Sequence, residues 1–170
     1  KKIMSCSFTQ ELDKKLYANY LRETKKNIEL FVPENIDLQS QESILAQQYG
    51  SISSKMSIMH NGTEYTLQQA AKFLMQSDAK LREEIFTKVA TRRMQDVDAL
   101  NILFDKLITI RHQIALNAGF SNYRDYKFKE LGRFDYTPDD CTTFHNAIKK
   151  HILPLCEKIY THKKKVLDLP

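Results

Sequence analysis

The stretch that decides the fold is residues 111–155, RHQIALNAGFSNYRDYKFKELGRFDYTPDDCTTFHNAIKKHILPL. Glycine and N-cap residues divide it into three helices joined by short turns. Gly119 is typical of a helix end, Ser121 of the start of a short helix, and Gly132 of the end of that helix. A third helix then begins at Thr137. The stretch therefore predicts consecutive helices, and it contains no group that could break a bond by itself.

The third helix has the clearest start in the chain. Thr137 fits the N-cap, Pro138 fits the first helical position, and the two aspartates that follow lie at the positive end of the helix dipole. Pro154 cannot donate a hydrogen bond to the carbonyl of Lys150, so we expect a kink there. An apolar stripe follows the start, at Phe144, Ile148, Ile152, Leu155 and Ile159.

One segment upstream has the pattern of a β-hairpin, at about residues 54–65. Asn61 and Gly62 stand between two short extended runs, and both residue types tolerate the positive φ that a two-residue hairpin turn requires. Thr66 then fits an N-cap, and Gln69 completes a capping box. A lone hairpin is only marginally stable, so we expect it to lie against helices.

The rest of the chain has the apolar spacing of helices. Helices are predicted over 8–30, ended by Pro33; over 38–49, ended by Gly50; and within 77–119, with apolar stripes at Leu81, Ile85 and Val89 and at Leu100, Leu103, Phe104, Leu107, Ile110 and Ile114. The expected fold is mostly α, a multi-helix bundle with one small β-hairpin. We expect a single helical unit over 1–170, made of an entry segment (1–50), the hairpin (51–66) and a helical core (67–170).

Composition agrees with one globular domain. The 170 residues are 42% hydrophobic and 28% charged, with only four glycines and four prolines, which argues against disorder and against an all-β fold. The net charge is +5, but both signs are interspersed, and the dense basic runs are confined to 149–150 and 163–165. We therefore expect no nucleic acid partner. No apolar run approaches the roughly 18 residues of a membrane span.

Cysteine and histidine give no metal or nucleophile signature. The three cysteines lack CxxC spacing and are expected as free thiols, as in a reducing cytoplasm. Cys141 and His145 have the i, i+4 spacing of two ligands on one helix, but nothing points to a third or fourth ligand. The two aspartates beside Cys141 oppose thiolate formation. We expect no catalytic residue and no metal ligand in the segment.

The best binding candidates are Arg124, Arg133 and Tyr136. Arginine and tyrosine offer directed hydrogen bonds and flat contact surfaces, which suit peptide backbones or carboxylates. The alternative is structural: the tyrosines at 123 and 126 would pack a helix joint, while Arg133 would pair with Asp135 or Asp125.

Four pieces of the sequence together resemble the N-terminal half of oligoendopeptidase F-type peptidases of the zinc-dependent M3 family. They are NGTEYTLQQ (61–69), RHQIALNAGFSNYRDYKF (111–128), GRFDYTPDDC (132–141) and FHNAIKKHILPL (144–155). The resemblance implies a largely helical protein with a deep channel, walled in part by the N-terminal helices. In the family, the two histidines of HExxH and a later glutamate hold zinc, and the HExxH glutamate activates the attacking water.

HExxH does not occur in this chain, so no catalytic or zinc residue carries over. The expectation is an N-terminal fragment of a cytoplasmic peptidase that hydrolyses oligopeptides. Zinc belongs to the parent protein, and the segment shapes the channel and binds no metal itself. Its partners are then oligopeptide substrates and the missing C-terminal catalytic half, with a dimer formed through the exposed docking face.

Two alternatives remain at this point. The chain is a free-standing module that binds an acidic partner through its basic helix 137–165, or it is a complete homologue that has lost its catalytic half. Steep salt dependence would favour the basic module. An exposed apolar face that drives association would favour the peptidase segment.

Overall fold

The computed structural model describes residues 2–167. Its Cα positions form two compact units, each described here by itself. The central unit comprises residues 27–126, and the terminal unit comprises the residues up to 26 together with those from 127 onward. The predicted grouping of 1–170 into one helical unit stays a prediction.

Helices make up most of the described chain. They are α1 (Ala18–Leu30), α2 (Asn35–Ser54), α3 (Leu67–Ala70), α4 (Ala79–Met94), α5 (Val97–Asn117), α6 (Tyr123–Glu130), α7 (Pro138–Ala147) and α8 (Leu153–Val166), with 3-10 turns at Ser7–Gln10 and Ala71–Met75 and a π turn at Ile148–Ile152. Two strands, β1 (Ser57–His60) and β2 (Thr63–Thr66), pair antiparallel. The predicted fold class, mostly α with one small hairpin, is confirmed.

The hairpin of the central unit has the turn that the sequence predicts. Asn61 and Gly62 have φ of 50° and 76°, the left-handed conformations of a two-residue turn. The strands pair in a register that places Ile58 opposite Tyr65. Thr66 and Gln69 form the predicted capping box, in which each side chain bonds the backbone N–H of the other residue.

A small core holds the hairpin against α3 and α4. Its buried members are Ile58, Ala70 and Ile85. Partly buried apolar side chains surround them: Tyr65, Leu67, Phe73, Leu74, Leu81 and Val89. Helix α4 begins at the predicted place, because the Asp78 carboxylate accepts hydrogen bonds from the backbone N–H groups of Lys80 and Leu81 at 2.9 and 3.2 Å. The predicted stripe of α4 is thus its packing face.

A second core of the central unit joins the start of α2 to the end of α5. Ile114, Ala115, Leu30 and Tyr126 are buried there. Asn35 is buried with them, donates from Nδ2 to the carbonyl of Ile114 at 3.0 Å, and accepts from Asn117 at 2.9 Å. This amide satisfies its own polar atoms while it connects the two helices, so its burial carries no unpaired polar group.

The 138–166 segment of the terminal unit consists of α7, the π turn and α8. Thr137 and Asp140 form a capping box at its start, with Pro138 in the first turn, as predicted. None of its residues is buried, although it carries the apolar stripe described above. The kink at Pro154 stays a prediction. The turn before it is widened, and in it the N–H of Leu153 bonds to the carbonyl of Ile148.

Four predicted details are wrong. The helix predicted over 8–30 begins only at Ala18, because the Asp13 side chain accepts from the N–H groups of Lys15 and Leu16 and forms a local turn instead. Helix α2 continues through Gly50 to Ser54.

Helix α6 is capped by Asn122 rather than by Ser121. The Asn122 side-chain oxygen accepts from the N–H of Asp125 at 2.9 Å. Phe104, predicted on the apolar stripe of α5, is exposed, whereas Leu103 and Leu107 are buried. The stripe is therefore narrower than its spacing suggests.

Candidate functional site

The candidate site is the 132–136 loop of the terminal unit, which follows α6 and carries two of the predicted binding residues. Gly132 has a φ of 66°, and the N–H groups of Gly132 and Arg133 bond to the carbonyls of Lys129 and Phe128 at 3.0 and 3.1 Å. A Cβ at Gly132 would lie 2.8 Å from Oε1 of Glu23. The left-handed backbone favours glycine at this position, and a larger residue would also displace the end of the Glu23 side chain.

A buried lysine fixes the base of this loop. Lys26 of α1 is only 8% exposed. Its Nζ contacts Oε2 of Glu23 at 2.5 Å and donates to the carbonyl of Glu130 at 3.0 Å. Because the charge of Lys26 is paired and a carbonyl at the end of α6 is satisfied, the loop starts from a defined position.

Arg133 and Tyr136 both contact the ring of Phe128. The Arg133 guanidinium lies over the ring of Phe128, 5.0 Å from its centroid. The ring of Tyr136 meets that of Phe128 nearly edge-on, with centroids 5.5 Å apart and planes at 78°. Both side chains are exposed. The structure thus brings together two of the three predicted binding residues.

The acidic residue next in the loop is paired elsewhere. Asp135 accepts from Nη1 of Arg22 at 3.4 Å, and the Arg22 guanidinium also lies 4.5 Å from the centroid of Phe134. The predicted pairing of Arg133 with Asp135 is therefore not formed. Within residues 2–167, the Arg133 guanidinium has a ring contact and no carboxylate partner.

Arg124, the third predicted binding residue, belongs to the central unit. Its Nε donates to Oδ1 of Asp125 at 2.8 Å. Hydrogen bonds from Arg124 and then from Asn122 hold the pKa of Asp125 below its usual value. The neighbouring Tyr126 is buried in the core, as the structural alternative predicts. Arg124 is therefore partly occupied by its own neighbour, whereas Arg133 is not.

The central unit has a groove between α2 and α5 that was not predicted from the sequence. It has a volume of about 530 Å³ and is lined by apolar residues that include Ile44, Leu45 and Ile110. Nε of Arg111 on α5 contacts Oε1 of Glu42 on α2 at 2.7 Å. The hydrogen bond to Glu42 raises the pKa of Arg111, so the guanidinium stays charged. The two residues of this pair are 69 positions apart, beyond any periodicity signal.

The described residues do not fit a zinc centre. No group of three or more histidine, cysteine, aspartate or glutamate side chains converges within residues 2–167. Cys141 is half-buried on α7, and His145 one turn later is exposed, so the i, i+4 pair lacks further ligands in this part of the chain. Among the same residues, no helix is both long enough and apolar enough to cross a bilayer.

Fold and site together define a helical scaffold that presents an exposed loop with an arginine and a tyrosine on one aromatic ring. The sequence model of peptidase family M3 matches residues 73–169, more than half of the chain. The chain belongs to peptidase family M3, and the predicted resemblance is confirmed. A search of curated proteins finds no match.

Solved structures share the fold over nearly the whole chain. A protein described as an oligoendopeptidase F matches with a TM-score of 0.91 and 25% identity, over 98% of this chain and 29% of its own. PZ peptidase A with an inhibitor matches with a TM-score of 0.89 and 23% identity, over 95% of this chain and 29% of its own. An oligoendopeptidase F from Bacillus anthracis strain Ames matches with a TM-score of 0.91 and 19% identity, over 99% of this chain and 31% of its own. The chain spans about three tenths of the length of these structures.

Proposed function

We propose that this chain is the N-terminal part of an oligoendopeptidase F-like zinc metallopeptidase that hydrolyses short peptides in the cytoplasm. Its helices shape the substrate channel, and the catalytic residues lie in the remainder of the protein. The observation that carries the proposal is the fold match at a TM-score of 0.91, which takes in 98% of this chain and 29% of the oligoendopeptidase F.

The side chains of the described residues support the proposal that the remainder of the protein carries the catalytic site. Peptide hydrolysis by a zinc peptidase needs a set of metal ligands and an open position for water. Residues 2–167 bring no such set together, so the proposal assigns zinc to the remainder of the protein. The 132–136 loop and Arg124 are proposed to contact the peptide and to take no part in bond cleavage.

The exposed apolar stripe of the 138–166 segment supports a docking partner. Phe144, Ile152, Leu155 and Ile159 are each between 46% and 64% exposed. Large apolar side chains in one stripe are typical of a surface that is covered in the functional protein. We propose that the catalytic part of the same protein covers it, and that the isolated chain dimerises through it.

The test compares the 170-residue chain with the longer protein. The 170-residue chain is expected to leave a fluorogenic oligopeptide intact and to hold no stoichiometric zinc after dialysis against a chelator. The coding sequence after residue 170 is expected to contain HExxH and a later glutamate. The longer protein should then lose activity on chelation and regain it with zinc. Zinc retained at about one per 170-residue chain through chelation would contradict the proposal.

A second candidate function is a basic interaction module. The observation in its favour is the run of lysines at 163–165, in the last turn of α8 beside the exposed stripe. Such a module would bind an acidic partner with an affinity that falls steeply as salt rises. Docking through the apolar stripe would instead depend only weakly on salt. A stop codon directly after residue 170 would favour this module, or a homologue that has lost its catalytic half.

A further inference from the structure

We propose that the 132–136 loop binds a carboxylate group of the peptide, with Arg133 as a two-pronged donor and the Tyr136 hydroxyl as an additional donor. The inference rests on the proposed function in so far as the ligand is a peptide. It adds the chemical group that the loop selects. The carboxylate has two sources, the C-terminus of a short peptide or an aspartate or glutamate side chain.

The first argument is the pairing of charges around the loop. Glu23 contacts Lys26, Asp135 contacts Arg22, and Glu130 contacts Lys127. These three carboxylates of the terminal unit thus each have a cation of their own. Arg133 is the loop's own cation, and no carboxylate in residues 2–167 pairs with it. An external carboxylate would give Arg133 the ionic partner that the other three cations already have.

The second argument is orientation. The contact with the Phe128 ring, at 5.0 Å from its centroid, restrains the guanidinium, and no hydrogen bond within residues 2–167 occupies its N–H groups. A planar fork of two N–H donors matches the two oxygens of a carboxylate. The restraint also lowers the rotamer entropy that an exposed arginine loses on binding, which makes this arginine a better receptor than a freely rotating one.

The third argument is the neighbouring hydroxyl. The ring of Tyr136 contacts the same Phe128 ring, is exposed, and makes no hydrogen bond through its hydroxyl within the described chain. One aromatic ring therefore holds a cation and a neutral donor side by side. The loop that carries both is anchored by Lys26 and by the tight turn at Gly132, so their spacing is maintained.

The experiment measures binding of labelled hexapeptides to the 170-residue chain by fluorescence anisotropy at low salt. Four peptides separate the sources: one with a free C-terminus, the same peptide amidated, and two amidated versions with an internal glutamate or glutamine. We expect the free acid to bind about fivefold more tightly than the amide, as for one exposed charge-assisted pair. If the peptide with glutamate also binds more tightly than the peptide with glutamine, the loop accepts a carboxylate from either source.

Substitutions test whether Arg133 causes the preference for the free acid over the amide. Arg133→Ala should abolish the preference for the acid, and Arg133→Lys should restore only part of it, because lysine keeps the charge and loses the fork. Arg93→Ala removes the same charge from an exposed position of the central unit and should keep the preference. The side-chain Nε–H signal of Arg133 in NMR should shift with the acid and not with the amide.

Two results would overturn the inference. Equal binding of acid and amide would refute carboxylate selection while leaving peptide contact intact. Binding of none of the peptides, with no NMR shift, would refute it as well. Neither result bears on hydrolysis by the longer protein, which its own assay decides.

Discussion

Helix α4 and the 138–166 segment carry the same apolar spacing and have opposite surroundings. In α4 the stripe of Leu81, Ile85 and Val89 packs under the hairpin, and Ile85 is 0% exposed. In the 138–166 segment a stripe of equal regularity is open, and Ile159 is 46% exposed. Periodicity therefore predicts that a helix forms and which face is apolar. It does not predict what covers that face.

The two regions also differ in what stabilises the helix. Helix α4 has an N-cap at Asp78 and a buried core beneath it. Helix α7 has a capping box at Thr137 and Asp140 and no buried residue. Helix stability in proteins comes mostly from packing of an apolar face. The 138–166 segment should therefore depend on its cap, and on a docking partner, much more than α4 does.

The largest expected effect is on the packed stripe. Ile85→Ala should lower the free energy of unfolding by about 2–5 kcal/mol, because it opens a cavity in a closed core. Ile159→Ala, the matched change on the open stripe, should cost less than about 1 kcal/mol at dilutions where the chain is monomeric. Urea unfolding followed by circular dichroism measures both. Equal losses would mean that the open stripe is covered within the isolated chain.

The next effect is on self-association of the 138–166 segment. Replacing Ile152 and Ile159 together by serine should weaken dimerisation by about ten- to a hundredfold for each side chain that the dimer buries, since each burial contributes about 1.5–3 kcal/mol. Sedimentation at several concentrations measures the dissociation constant. The control is Thr87→Ser, a change at an exposed position of α4. Unchanged association in the double variant would exclude this stripe as the docking face.

A smaller effect separates the two caps. Asp78→Ala and Thr137→Ala should each cost about 1 kcal/mol of helix stability. Loss of the Asp78 cap should lower the global unfolding midpoint, because α4 belongs to a closed core. Loss of the Thr137 cap should instead raise hydrogen exchange within 138–147 and leave the midpoint nearly unchanged. A global loss from Thr137→Ala would show that α7 is coupled to the rest of the fold.

The smallest effect concerns two carboxylates whose pKa values are both lowered. Lys88, and then His60, lower the pKa of Glu84 below 4.5, and Thr137 lowers that of Asp140 below 3.8 through its hydroxyl and its N–H. A lowered pKa in the folded chain means that each carboxylate stabilises the fold above its ordinary pKa. The contribution disappears as the pH falls through the lowered value.

NMR titration of the side-chain carboxyl carbons tests this pair. Lys88→Met should raise the pKa of Glu84 towards 4.5 and leave that of Asp140 unchanged, and Thr137→Ala should do the reverse. If Thr137→Ala leaves the pKa of Asp140 where it was, the capping box does not hold the carboxylate in solution.

Local features could be predicted from the sequence because their causes are local. The turn at Asn61, the boxes at Thr66 and Thr137 and the cap at Asp78 each depend on residues within three or four positions. The late start of α1 was not predicted, although its cause is local. The apolar spacing over 8–30 is that of one continuous helix, but the turn at Asp13 replaces its first part.

Features that join distant residues could not be predicted. Asn35 bonds to partners 79 and 82 positions away, and nothing in its neighbourhood marks it as a core residue. For the candidate site, the sequence identified Arg133 and Tyr136 by residue type. It could not show that Phe128 holds them together, or that Arg22 of α1 takes the acid expected for Arg133.

The π turn at Ile148–Ile152 has a consequence for evolution of the docking face. A π turn contains one residue more than an α turn, and each residue of an α-helix turns the chain by about 100°. A single deletion within this turn could thus restore a plain α-helix without breaking the chain's continuity. Because the widened turn covers the same full rotation as an α turn with one residue more, this deletion would keep Leu155 and Ile159 on the side of the helix that Phe144 occupies. A deletion in the α-helical turns on either side would instead rotate them by about 100°. The π turn is therefore the place in this segment where a change of length leaves the stripe continuous.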